Sequence, residues 1–143
     1  MTDKLITTGA QTVLQAEFTW NYNDTMDDTG DASKDFGSSN VASTTFDVIS
    51  LPPGAVVVGG ELITETAFDA ATYTVSVGDS GSATRYMAAT DKKSTGRTAL
   101  VPTGAHGTGL PIRITVVAAD VCTTGKATLR VQFTIDNRVT ESV

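Results

Sequence analysis

The chain has 143 residues, a formal net charge of −6, a pI of about 4.5 and 40% hydrophobic residues. That length fits one domain with a core of its own, and the apolar content excludes a generically disordered chain. The acid balance disfavours nucleic acid and anionic membrane surfaces, which call for clustered Lys and Arg, and a single cysteine excludes an intramolecular disulfide.

Residues 1–12 are polar and Thr-rich and read as a flexible N-terminal arm; residues 13–143 read as a single β-domain. Between Val13 and Tyr22, Ala16, Phe18, Trp20 and Tyr22 share one face, with Glu17, Thr19 and Asn21 on the other. That period of two is a strand signal, and the Trp20–Tyr22 pair reads as core packing. Residues 23–43 are Asn, Asp, Thr, Ser and Gly with isolated apolar residues, and read as a long loop.

Thr44 to Leu51 reads as a second strand, ended by a turn at Pro52-Pro53-Gly54, where Gly supplies the positive φ. Ala55 to Phe68 reads as a long strand with Val56, Val58, Leu62 and Phe68 on one side. Gly59-Gly60 marks a bulge or a close backbone approach. Thr72 to Val77 alternates again, and the short link through Asp69-Ala70-Ala71 predicts a hairpin with the preceding strand. Ala83 to Thr90 reads as a short helical turn, because Ala, Arg and Met tolerate helix. Thr98 to Val101 is a weak strand. Pro102 to Gly109 is a Gly-rich loop with the sole histidine, His106. Leu110, Ile112, Ile114 and Val116 alternate, with Pro111 marking an edge or a strand start. Lys126 to Asp136 is the clearest strand, with Ala127, Leu129, Val131, Phe133 and Ile135 inward. About seven or eight short strands with regular turn signals predict an all-β, antiparallel β-sandwich of jelly-roll type.

Few residues offer chemistry. A Cys122–His106 pair is the only nucleophile–base combination of its kind, and Cys122 beside an apolar strand reads as a small buried thiol. Zinc needs three or four N/S ligands, and this chain supplies two. In the acidic loop from Asp24 to Asp31, placing Gly30 at the sixth EF-hand position puts Thr25 at the first and Phe36 at the twelfth, where no ligand is possible. An irregular calcium site stands as the alternative to a solvated loop. The reading is of a non-enzyme without a cofactor. The stretch from Met1 to Thr8 lacks the apolar run of a signal peptide, which predicts synthesis in a cytoplasm.

Three segments carry a resemblance. Phe46 to Glu61, centred on Leu51-Pro52-Pro53-Gly54, is the first. Thr74-Val75-Ser76-Val77-Gly78-Asp79, followed by Arg85-Tyr86-Met87-Ala88-Ala89-Thr90, is the second. Ala127 to Arg138 is the third. In this order they resemble segments of head decoration, or cement, proteins of tailed bacteriophages. The resemblance implies a jelly-roll sandwich, frequent trimers and a place on the capsid exterior in contact with the major capsid protein, with synthesis in the bacterial host. It implies no catalytic residue. The arm residues Met1, Thr2, Asp3, Lys4, Leu5, Ile6, Thr7 and Thr8 are the candidate capsid or subunit contacts. A tail or fibre adhesin, or a carbohydrate-binding β-sandwich module, is the alternative.

Overall fold

The computed structural model describes residues 13–103 and 109–135. The arm at residues 1–12, the candidate contacts from Met1 to Thr8 and His106 lie outside the described residues. Ten strands run in chain order: β1 (Leu14–Asn21), β2 (Thr25–Asp27), β3 (Ser33–Asp35), β4 (Ser43–Ile49), β5 (Ala55–Thr66), β6 (Tyr73–Asp79), β7 (Ser82–Asp91), β8 (Gly96–Ala99), β9 (Ile112–Ala118) and β10 (Lys126–Ile135). Eight of them form two four-stranded antiparallel sheets, β1-β10-β5-β8 and β4-β9-β6-β7, while β2 and β3 pair as a separate hairpin. This is the jelly-roll order, in which the chain keeps crossing from one sheet to the other.

The alternating apolar residues of the sequence supply the filling. Trp20, Phe46, Leu62, Tyr73, Val75, Val77, Ile112, Ile114, Leu129 and Val131 are buried between the sheets, one face of each strand facing inward. Burying a side chain of this size contributes roughly 1.5–3 kcal/mol. The Pro52-Pro53-Gly54 turn forms as expected, with Gly54 at φ +80° and Ala55 N–H bonded to the Pro52 carbonyl at 3.1 Å. Pro111 precedes β9, a central strand, so it marks a strand start and not an edge.

Four expectations are corrected. First, β5 and β6 do not pair: they lie in different sheets, and β6 takes β7 and β9 as its neighbours. A short link here crosses the sandwich instead of reversing within a sheet. Second, Ala83 to Thr90 is part of strand β7 and not a helical turn; no helix occurs among the described residues. Register shifts against β6 bury the adjacent pair Tyr86 and Met87, which hides the strand period, and pairing overrides a weak helix propensity.

Third, residues 23–43 are not a free loop. The β2–β3 hairpin lies across the gap between edge strands β1 and β4, joined by Thr29 N–H to the Thr45 carbonyl (2.9 Å) and Ser38 N–H to the Tyr22 carbonyl (2.9 Å). Phe36 enters the core there, with its ring centroid 4.3 Å from Phe46 and 5.8 Å from Trp20. Fourth, the inward set of β5 changes parity. Ala55 and Val57 face the core before the bulge, Leu62 and Thr64 after it, so Val56 and Val58 are not on the Leu62 face. The bulge falls at Val58, between the Gly59–Gln132 and Val57–Phe133 pairs. Gly60 (φ +134°) is required beside it, because a Cβ there would stand 2.1 Å from the Arg130 carbonyl oxygen.

Candidate binding surface

Two carboxylates of the acidic segment, those of Asp24 and Asp28, are occupied by their own chain. Asp24 accepts hydrogen bonds from the Asn21 backbone N–H (2.8 Å) and side-chain amide, and Asp28 from the N–H groups of Gly30 (2.8 Å) and Ala32 (3.0 Å). Asp35 is buried and accepts from the amides of Gly37, Ser39 and Asn40 and the hydroxyls of Ser38 and Ser39. Burial alone would raise its pKa; the Ser39 hydroxyl and the other donors outweigh burial and bring it down to about 2. Among the described residues, no group of three or more His, Cys, Asp or Glu side chains is placed to hold a metal ion.

Cys122 is buried, and its thiol pKa is pushed up by that burial. The pull is away from the thiolate that a nucleophile needs. A second buried carboxylate, Asp79, closes the β6–β7 turn. It accepts from Gly81 N–H (2.9 Å), Ser82 N–H (3.1 Å) and the Tyr86 hydroxyl (3.1 Å), and pairs with Arg85 at 2.8 Å. Burial opposes ionisation, but these donors prevail and hold the carboxyl below its ordinary range.

The outer face of the β1-β10-β5-β8 sheet divides in two. Across its middle runs a ladder of alternating charge: Glu17 to Arg130 (2.8 Å), Arg130 to Glu61 (3.6 Å) and Glu61 to Arg97 (3.5 Å). Lys126 and Thr128 both reach Glu65 further along. Such exposed pairs each contribute about 0–1 kcal/mol and mainly fix strand register. Toward the Leu14 and Ile135 end the charges stop. Gln15 pairs with Gln132, which faces Gly59, and Thr134 faces Val56. A shallow recess of about 260 Å³ lies at the border of the two halves, lined by Gln15, Gly60, Glu61, Arg130 and Gln132. Val13 just before β1, Val58 in β5 and Val101 just after β8 are exposed, at 58%, 48% and 68%. Simple alternation along β5 groups Val58 with the core residue Leu62; the Gly59-Gly60 pair is the sequence signal for the bulge that turns it outward.

No protein-family model matches the chain, and no curated protein is similar to it in sequence. Solved structures do match. A chain of the cyanophage Pam1 capsid asymmetric unit is similar with a TM-score of 0.61 at 24% identity, covering 93% of this chain and 94% of that one. A chain of the acidic stable capsid structure of Helicobacter pylori bacteriophage KHP30 is similar with a TM-score of 0.52 at 19% identity, covering 87% and 93%. At such identities the likeness is one of fold, and it extends over nearly the whole of each chain.

Proposed function

We propose that this protein is a structural component of a bacteriophage virion that binds the outer surface of the capsid and stabilises it by bridging capsid subunits, without catalysis and without a cofactor. The observation that carries the reading is the near full-length fold likeness to chains from two phage capsid structures. The resemblance of the segments from Phe46 to Arg138 to decoration proteins adds the finer placement on the capsid exterior. In this reading the partners are the major capsid protein and further copies of the chain, as a trimer, and Met1 to Thr8 add contacts across a seam.

The physical logic is that of mass action. A protein that binds the intact shell more tightly than separated subunits stabilises the shell by that difference. Several weak contacts per copy suffice, because each contact after the first is intramolecular. The fold suits this role. A jelly roll presents short edges, and here the gap between β1 and β4 is further covered by the β2–β3 hairpin. The test is to mix the protein with capsids prepared without it and sediment them. Co-sedimentation that saturates at a fixed ratio to the capsid protein is expected. No co-sedimentation, with binding to host cells or glycans instead, would replace this reading with an adhesin.

A further inference from the structure

The bulge in β5 has an effect that the core does not need. It keeps Val57 and Leu62 inward while turning Val58 to solvent, on the same half-sheet as Val56, Gln132 and Thr134. Bulges commonly re-aim a side chain in this way. Val101 leaves the sheet at this end, following Leu100, whose N–H bonds the Gly60 carbonyl at 3.0 Å, and Val13 immediately precedes β1 at the same end. Single exposed valines are ordinary, but a grouped uncharged patch around a recess is a feature of interaction surfaces.

We infer that this uncharged half of the β1-β10-β5-β8 sheet is the face that seats on the capsid shell, with the acidic end of the sandwich turned to solvent; the inference rests on the virion reading above. Two observations select this occupant. The first is charge. The chain carries a net −6, and the exposed acids of the connections, Asp24, Asp27, Asp31, Asp69, Asp91 and Asp120, lie in or beside those at the other end of the strands, while the exposed Glu17 and Glu65 of this sheet and Asp47 of the opposite one are held in ion pairs. Docking through the Val58 half would cover at most the rim acid Glu61, already paired with Arg97 and Arg130, whereas docking through the other end would desolvate several carboxylates at once. Copies seated this way present their acidic ends outward, where mutual repulsion keeps decorated particles apart. The second is chain geometry. Val13 and Ile135 sit on neighbouring strands at this end, so residues 1–12 and 136–143 both join the body beside the patch. The recess, bounded by Gln15, Gln132 and the Glu61–Arg130 pair, would accept a protruding polar side chain of the shell.

The test uses the full chain and capsids prepared without it. Val58→Lys and Val58→Asp, on either side of neutral, should each weaken co-sedimentation at least about tenfold, as loss of a central contact does. Val101→Lys, at a more exposed position, is the second variant should either Val58 change disturb folding, and circular dichroism and thermal melting check all three. Val117→Lys, on the opposite sheet, and Asp27→Lys, at the acidic end, should stay within about twofold of the wild type. Normal binding by the patch variants, with loss in Val117→Lys or Asp27→Lys, would overturn the orientation. Patch variants that change the oligomeric state in solution but still bind capsids would make the patch a contact between copies and overturn it equally. Failure of the wild type itself to bind would remove the virion reading and the orientation together.

Discussion

The two long sides of the sandwich are closed by different means. On the β7–β8 side the backbone does it: Val101 and Thr103 N–H groups bond the carbonyls of Tyr86 and Arg85 at 2.8 and 2.9 Å, carrying the chain from one sheet to the other. On the β1–β4 side the β2–β3 hairpin bonds both edges, through Thr29 N–H to the Thr45 carbonyl and Ser38 N–H to the Tyr22 carbonyl. There the β2–β3 hairpin inserts Phe36 among Phe18, Trp20 and Phe46, and Asp35 holds the turn that follows it. The Tyr73 hydroxyl ties the two parts together, donating to the Phe36 carbonyl at 2.6 Å. One side therefore depends on repeated backbone bonds that almost any sequence can make. The other adds to its backbone bonds one buried aromatic side chain and one ionised carboxylate, and so concentrates more of its stability in few residues.

Phe36→Ala breaks the comparison hardest. It empties a site that is 1% exposed and should cost about 3–5 kcal/mol in denaturant unfolding. Acid should come next. The folded pKa of Asp35, about 2, lies below its ordinary 3.8, so the stabilisation is complete above about pH 4 and is lost as pH falls toward 2. The loss at this site is at most about 2 kcal/mol, and Asp35→Asn should flatten the dependence in that window. The smallest effect belongs to the other side. Thr103→Ala removes the hydroxyl bond to the Arg85 carbonyl but keeps the amide bond, and should cost less than about 1 kcal/mol. A Thr103→Ala penalty equal to that of Phe36→Ala would mean that both sides rest on side chains.

The same contrast explains what is legible in the sequence. β1, β9 and β10 are readable because alternation along a half-buried strand is a local pattern, as in Ala127, Leu129, Val131 and Phe133. The sandwich class follows from it. The β2–β3 plug is not readable, since Phe36 is a lone apolar residue among polar ones and its burial depends on the distant Phe46 and Trp20. Ala83 to Thr90 reads as a helical turn because Ala, Arg and Met tolerate helix, and no alternation contradicts it, since adjacent Tyr86 and Met87 are both buried through a register shift that only β6 reveals. The short link from Phe68 to Tyr73 reads alike for a hairpin and for a crossover, and strand order decides between them. The candidate surface is half legible: Gly59-Gly60 announces a bulge, but which valines it turns outward depends on the pairing of Val57 with Phe133.

The central claim is that the protein strengthens a capsid from outside, and the most direct measurement is heat-induced opening of capsids with and without it, followed by release of the packaged genome to a fluorescent dye. Capsids prepared without the protein should open at a lower temperature, and adding the purified chain back should restore the higher one in step with occupancy. An opening temperature that stays the same at full occupancy would contradict the account.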